Sequence, residues 1–301
     1  MTKTARDIGV AASEYPWTGR FIDIDGHTMH VLDVGPTEGA ADEPVLMVHG
    51  NPTWSFYWRH LVSALSGTHR CIVPDHIGMG LSDKPADDAY PYTLARRVSD
   101  LTKVVDSLYP SGKLTLAVHD WGGMIGMAWA VQNPDRVARI VVTNTSAFMP
   151  NDDIKLPWQL KLARSPLGTA LVQGFNAFAI GATVTCTEKP LSSAAKKGYT
   201  APYDTFANRI ATLRFVQDIP LSPKDGAWAL VEATDAGLDL FAQTPILVLW
   251  GDKDYVFHPG FRAQFEKRWP HAEVQSWPAG HFVIEDEKEA VCSKIAAFVG
   301  A

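Results

Sequence analysis

The sequence has few cysteines, no long apolar run and no excess of positive charge. Its 301 residues include 3 cysteines, which lie far apart at Cys71, Cys186 and Cys292. An odd number of distant cysteines does not predict a disulfide framework, so we expect reduced thiols in a cytoplasmic protein. No apolar run reaches the length of a membrane span, and the first residues lack the apolar segment of a secretory signal. We therefore expect no membrane partner.

The balance of charges also excludes several functions. The formal net charge is −6 and no basic stripe occurs, so a nucleic-acid partner is not expected. The adjacent pairs Asp75-His76 and His119-Asp120 lack the spacing of metal ligands, and we predict no metal and no cofactor. Hydrophobic residues make up 46% of the chain and charged residues 20%, which is typical of a globular protein with a sizeable core. The oligomeric state stays open.

Strand-like and helix-like segments alternate over most of the chain. Short apolar runs rich in β-branched residues predict strands at 21–24, 29–34, 45–48, 71–74, 114–118, 140–143, 245–250 and 273–276. Apolar residues at helical spacing predict helices at 56–65, 94–108, 124–131, 261–268 and 285–298. This alternation predicts an α/β fold in which a mostly parallel sheet carries helices on both faces.

The alternation is interrupted in the middle of the chain. Between residues 148 and 225, prolines separate short helical segments, and no strand of comparable strength occurs. We interpret 148–225 as an inserted helical cap (lid), and 17–147 with 226–301 as the main domain. Five aromatic residues of the cap could wall an apolar pocket, although we expect core packing for most of them: Trp158, Phe175, Phe178, Phe206 and Phe215.

One sharp turn between a strand and a helix is the most informative stretch. The predicted strand at 114–118 leads into His119-Asp-Trp-Gly-Gly123, and a helix follows. Glycines in such a turn let the backbone expose one side chain above the sheet edge, which is the layout of a nucleophile elbow. The exposed position holds Asp120, a carboxylate near the positive end of a helix. The alternative role for Asp120 is a simple helix N-cap.

Two later loops also follow strands and carry partners for Asp120. Gly251-Asp-Lys-Asp254 follows one strand, and His281 follows another. The order nucleophile, acid, histidine along the chain is the order of the α/β-hydrolases. Ligands of such folds lie at the carboxyl ends of the parallel strands. The alternative is that Asp252 and Asp254 are both simple turn residues.

Three motifs together resemble those of the haloalkane dehalogenases: His49-Gly-Asn-Pro-Thr-Trp-Ser55, Asp75-His-Ile-Gly-Met-Gly-Leu-Ser-Asp-Lys-Pro85 and His119-Asp-Trp-Gly-Gly123. The resemblance covers about residues 17 to 299 and is weakest in the cap. It implies an α/β-hydrolase fold and a reaction in two steps. An aspartate displaces halide from carbon to give an alkyl ester, and water activated by a histidine then releases an alcohol. The implied partners are a small apolar substrate, a halide ion and water.

The resemblance also assigns the residues of this reaction. It implies that Asp120 is the nucleophile, that His281 is the general base and that Asp254 orients the histidine. Asp254 follows its strand at the spacing of the family, whereas Asp252 would lie too early in the turn. A carboxylate suits this chemistry because its ester is then cleaved by ordinary acyl hydrolysis.

Asn51 and Trp121 match the pair whose side-chain N–H groups hold the departing halide. Displacement at saturated carbon builds negative charge on the leaving group, and an amide and an indole can both donate to it in a dry pocket. By the usual geometry of the elbow, the backbone N–H groups of the same two residues would form the oxyanion hole of the second step. The alternatives are a turn residue for Asn51 and a packed aromatic ring for Trp121.

Three further functions are alternatives to the dehalogenase. His119-Asp-Trp-Gly-Gly-Met-Ile-Gly126 is also similar to the β-lactone decarboxylases of olefin biosynthesis, which open a strained lactone and release carbon dioxide and an alkene. An epoxide hydrolase also uses an elbow aspartate and needs two cap tyrosines, for which Tyr199 and Tyr203 are available, but Asn51 replaces its usual bulky apolar residue. A ligand-binding receptor on a hydrolase scaffold would not need the complete set of residues. We rank dehalogenase first, decarboxylase second and epoxide hydrolase last.

Overall fold

The computed structural model describes residues 3–36, 43–149 and 164–300. In this part of the chain one sheet of 8 strands has the order β1-β2-β4-β3-β5-β6-β7-β8. The strands are β1 (Arg20–Ile24), β2 (His27–Val34), β3 (Val45–Val48), β4 (Cys71–Pro74), β5 (Leu114–Asp120), β6 (Val137–Thr145), β7 (Ile246–Gly251) and β8 (Glu273–Trp277). The β2 strand is antiparallel to both of its neighbours, and the strands from β4 to β8 are parallel.

Helices connect these strands and cover both faces of the sheet. They are α1 (Arg59–Leu65), α2 (Leu94–Leu108), α3 (Trp121–Gln132), α4 (Pro166–Thr169), α5 (Ala177–Thr185), α6 (Ser193–Thr200), α7 (Ile210–Gln217), α8 (Trp228–Gly237), α9 (Pro259–Arg268), α10 (Val283–Asp286) and α11 (Lys288–Val299). A short π-helical segment, Ala170–Gly174, lies between α4 and α5.

The core has two layers because successive side chains of a strand point to opposite faces. In β3, Leu46 and Val48 pack with the layer of α2, α3, α8 and α9. Val45 and Met47 of the same strand pack with α1 and α11 on the other face. All four side chains are fully buried, and burial of each stabilises the fold by about 1.5–3 kcal/mol. The continuous apolar runs of the sequence are thus central strands covered on both sides.

The α/β-hydrolase fold expected from the sequence is confirmed, but some boundaries differ. The β5 strand extends to Asp120 and α3 begins at Trp121, so the turn between them is tighter than the predicted segments imply. The predicted helix at 285–298 is two helices, α10 and α11. The division into a main domain and a cap stays a prediction.

The cap aromatics have different environments. Phe178 lines a cavity and Phe215 is fully buried. Core packing is the wrong expectation for Phe175 and Phe206, which are 73% and 61% exposed. Trp158 lies outside the described residues. No single described helix is long and apolar enough to cross a membrane, but one pair, Pro166–Gly174 with Ala177–Thr185, passes that test jointly across an 80° bend.

Candidate active site

The elbow holds Asp120 in a backbone conformation that side chains rarely adopt. Its φ is 52° and its ψ is −130°, outside the main allowed regions. The surrounding contacts maintain this conformation, since the Thr145 hydroxyl donates a hydrogen bond to the Asp120 carbonyl. A Cβ at Gly122 would overlap the Val48 carbonyl oxygen, and one at Gly123 would overlap the Thr145 hydroxyl. Only glycine therefore lets the elbow pack this closely on β3 and β6.

The Asp120 carboxylate is oriented by groups from two other strand ends. The backbone N–H of Asn51, which follows β3, donates to Oδ1 over 2.6 Å. Oδ2 lies 3.5 Å from Nε2 of His281, which follows β8. A Cβ at Gly50 would overlap Oδ1, so the β3 loop can approach only as glycine. The carboxylate is 7% exposed and faces a cavity.

His281 lies between two buried carboxylates. Its Nδ1–H donates to Asp254 Oδ2 over 2.7 Å, which turns Nε2 toward Asp120. Burial of the ring disfavours its charged form, but the Asp254 and Asp120 carboxylates outweigh burial and raise the pKa of His281 to about 10. Asp252 instead pairs with Arg262 near the surface. The structure thus brings Asp120, His281 and Asp254 together and leaves Asp252 apart.

Asn144 is a site residue that the sequence analysis missed. It lies in β6 with a φ of 31°, and its Nδ2 donates to Asp254 Oδ2 over 2.9 Å and to the Gly251 carbonyl over 3.1 Å. The Gly251 N–H donates back to Asn144 Oδ1 over 2.8 Å, and the Val256 N–H donates to Asp254 Oδ1 over 2.7 Å. The bonds of Asn144 join the loop from Gly251 to Asp254 to β6. The clue in the sequence is that Asn144 lies near the end of β6, the strand that pairs with β5.

Asn51 and Trp121 both line the cavity above Asp120. The Asn51 side chain donates one N–H to the carbonyl of Thr212 in α7 over 3.0 Å. An amide nitrogen carries two N–H groups, so a second donor is left for a ligand. The Trp121 ring packs edge-on against Phe215, with 5.4 Å between the ring centroids. The cap therefore positions both groups that the sequence analysis expects to hold the leaving group.

The cavity itself has a volume of about 290 Å³ and mostly apolar walls. Five apolar side chains of the main domain, with Phe148 at the start of the cap, form one part of the wall: Met124, Val231, Val256, Phe257 and Phe261. The other part consists of residues of α5 and of Val216, Ile219 and Pro220, which lie at the end of α7 and just after it. Apolar walls with a few convergent polar groups are typical of a small-molecule site.

A model of the alpha/beta hydrolase fold family matches residues 43–288 of the chain. The chain belongs to this family. The α/β-hydrolase is 47% identical over 287 residues to a cis-3-alkyl-4-alkyloxetan-2-one decarboxylase of Shewanella oneidensis. This alignment covers 94% of this chain and 89% of that protein. The chain is 30% identical over 300 residues to a haloalkane dehalogenase of Mycobacterium marinum, covering 94% of each. The crystal structure of a haloalkane dehalogenase from Bradyrhizobium elkani is 26% identical, with a TM-score of 0.82 and coverage of 94% of this chain and 97% of that one.

These similarities confirm the resemblance drawn from the motifs and support an enzyme. The relatives divide between the two reactions that the sequence analysis ranked first.

The two cap tyrosines considered for an epoxide hydrolase do not reach the cavity of this α/β-hydrolase. The Tyr199 hydroxyl donates to Glu285, and the Tyr203 hydroxyl donates to the Thr53 carbonyl over 3.2 Å. Both rings are buried, and neither lines the cavity. Over the described ranges, no group of three or more His, Cys, Asp or Glu side chains has the arrangement of a metal site.

Proposed function

We propose that this α/β-hydrolase is a β-lactone decarboxylase, which converts cis-3,4-dialkyl β-lactones into alkenes and carbon dioxide. The decarboxylase relative is 47% identical, compared with 30% for the dehalogenase relative. The observation that carries the proposal is the Asp120 carboxylate at the floor of an apolar cavity, beside His281 and two donors from Asn51 and Trp121. Decarboxylation therefore replaces dehalogenation as our first-ranked reaction.

The first proposed step opens the lactone ring. An oxygen of Asp120 attacks the ring carbon that carries the ring oxygen, and the bond between that carbon and the ring oxygen breaks. The product is an alkyl ester of Asp120 that carries a free carboxylate. Side-chain N–H groups of Asn51 and Trp121 meet the negative charge that develops on this leaving carboxylate. The chemistry matches halide displacement, with a carboxylate in place of the halide.

The second proposed step releases both products. The bond from the neighbouring carbon to the carboxylate breaks, carbon dioxide leaves, and the electron pair forms the carbon–carbon double bond. Asp120 departs as a carboxylate and is regenerated, and neither step consumes water. His281 contributes by position: its Nε2 lies 3.5 Å from Asp120 Oδ2, where an imidazolium held by Asp254 stabilises the negative charge that returns to Asp120.

A direct comparison of two substrates tests this proposal. The protein is incubated with a cis-dialkyl β-lactone and with a bromoalkane of matched chain length, and alkene, carbon dioxide, halide and alcohol are quantified. We expect kcat/KM for the lactone to exceed that for the bromoalkane by about a hundredfold or more. Asp120→Ala removes both activities, whereas the matched control Asp252→Asn retains them. Faster release of halide than of alkene would overturn the proposal.

A haloalkane dehalogenase is the second candidate, favoured by the leaving-group donors and by the similarity to the solved dehalogenase. In that reaction esterification of Asp120 removes one of the two carboxylate charges that raise the pKa of His281. The imidazole then becomes available as the base for a hydrolytic water. An absence of turnover with every substrate would favour the ligand-binding receptor instead.

A further inference from the structure

We propose that the outward face of the cap helix α5 docks on the surface of a lipid bilayer, so that apolar substrate passes from the bilayer directly into the cavity. The choice of a lipid surface rests on the proposed function, because a dialkyl β-lactone partitions into an apolar phase. The surface itself is defined by the described residues of the cap alone.

The first observation is an uncharged stretch whose apolar side chains face solvent. From Ser165 to Thr187 the chain contains no Asp, Glu, Lys, Arg or His. Four of its large apolar side chains form what we call the cap patch: Leu167, Phe175, Ile180 and Val184 are 61%, 73%, 50% and 63% exposed. A helix that is apolar on all sides is normally buried, and large exposed apolar patches mark interaction sites.

The second observation places the mouth of the cavity along one row of α5. Ala177, Gly181 and Thr185 follow one another at intervals of one helical turn, and each lines the cavity while remaining partly or fully exposed. Tyr255, which is 45% exposed, also lines the cavity, and its hydroxyl lies 3.2 Å from Thr185 Oγ1. Side chains that reach both solvent and the cavity mark the rim of its opening.

Two members of the cap patch, Ile180 and Val184, adjoin this rim. At about 100° of rotation per residue, Ile180 and Val184 occupy the neighbouring row on the outer side of the rim. Phe178 and Ala182 occupy the neighbouring row on the inner side, and both line the cavity. One helix therefore carries an apolar path from the protein surface into the site.

A bilayer fits this surface better than a protein partner does. A protein or a second copy seated on the cap patch would cover the adjoining mouth, whereas a bilayer leaves the mouth open to its own apolar solutes. The uncharged patch and the net charge of −6 predict a contact that needs neither anionic lipid nor low salt. The nine-residue α5 would span only about 14 Å of the roughly 30 Å hydrocarbon core.

The helix would therefore lie in the interface plane with its apolar side chains inserted. This surface contact revises our expectation of no membrane partner without requiring a membrane span.

Vesicle flotation of the 301-residue chain tests the proposal. The probe is a vesicle of phosphatidylcholine, and the test variant is Ile180→Lys with Val184→Lys, because neither residue lines the cavity. The matched control is Leu240→Lys, since Leu240 is 58% exposed on the main domain. We expect the double variant to lose about tenfold or more of its vesicle binding, and the wild type and control to bind alike at low and high salt.

A parallel measurement of turnover separates docking from chemistry. The double variant should turn over a short, water-soluble lactone like the wild type, but a lactone supplied in vesicles with about tenfold lower kcat/KM. Asp120→Ala should still bind vesicles, so a failure of the proposed reaction would leave the docking result intact. A wild type that does not float, or a double variant that floats equally well, overturns the proposal.

A second copy of the chain is the other occupant of the cap patch to be tested. A wild type that is oligomeric by light scattering, beside a monomeric double variant, would show that the cap patch joins copies of the chain and would overturn bilayer docking. Unfolding curves of all variants check that each is folded.

Discussion

The strand ends of the main domain and the cap contribute to the site in different ways. At the strand ends, each reacting side chain has fixed polar partners, as in the contacts of Asp254 with His281 and Asn144. The described cap supplies mostly apolar walls, together with backbone acceptors such as the Thr212 carbonyl that holds Asn51. This difference indicates that the sheet determines the reaction and that the cap determines which substrate reaches it.

The difference also has an energetic side. Leaving a buried polar group without its partner costs about 1–3 kcal/mol, so the strand-end network tolerates little change. Apolar walls of a cavity tolerate volume changes better, because no hydrogen bond is lost. Substitutions at the strand ends should therefore change kcat, and substitutions in the cap should change substrate preference.

The largest of the graded effects is expected for the indole donor at the elbow. Trp121→Phe keeps an aromatic ring but removes the N–H group, and we expect kcat to fall about 10²–10³-fold with either a lactone or a bromoalkane. The matched control is Trp129→Phe in the same helix, whose buried indole N–H has no hydrogen-bond partner among the described residues. Steady-state kinetics measure both, and equal losses would mean that Trp121 acts by packing.

A smaller effect is expected at Asn144, which is hydrogen-bonded to Asp254 and does not line the cavity. Asn144→Ala removes the bonds to Asp254 and Gly251, so we expect kcat to fall about 10–100-fold as the histidine loses its fixed orientation. Urea unfolding should show a stability loss of about 1–3 kcal/mol. If kcat were unchanged while stability fell, Asn144 would be a structural residue only.

A substitution in the cap should change the substrate preference of the enzyme rather than its kcat. Phe178→Ala enlarges the cavity from the α5 side, and we expect kcat/KM to shift by up to about tenfold in favour of bulkier lactones, with kcat on the original substrate nearly constant. A series of lactones with increasing chain size measures this shift. A drop in kcat comparable to that of Asn144→Ala would contradict the division between the two regions.

The last expected effect concerns stability rather than turnover: His281 contributes to stability in a pH-dependent way. Its pKa is raised to about 10 in the folded protein, against roughly 6.5 in an unfolded chain. The stabilisation is fully present below about pH 6.5 and is lost as the pH rises through about 10. Unfolding of the wild type and of His281→Gln at several pH values measures this, and their stability difference should shrink as pH rises. A constant difference would contradict the charged pair.

The sequence predicts the strand-end chemistry better than the cap. That Asp120, His281 and the loop of Asp252 and Asp254 meet could be predicted because parallel strands bring their carboxyl ends to one edge, whereas the choice of Asp254 came from the family resemblance. Asn144 could not, because an asparagine at a strand end has no motif of its own.

Contacts made by the cap were harder still to predict. The bond from Asn51 to the Thr212 carbonyl has no side-chain signature on the acceptor. The exposure of Phe175 and Phe206 departs from the usual burial of large aromatic residues, and no feature of the sequence indicates it.

In both candidate reactions, Asp120 is proposed to form a bond to a saturated carbon of the substrate while an anionic group leaves. Intact-protein and peptide mass spectrometry of His281→Gln after incubation with a bromoalkane tests this claim most directly, because the variant lacks the base that would hydrolyse the ester. We expect an added alkyl mass on the peptide that contains Asp120, and none on the Asp120→Ala protein. Halide release with no alkyl group on that peptide would contradict it.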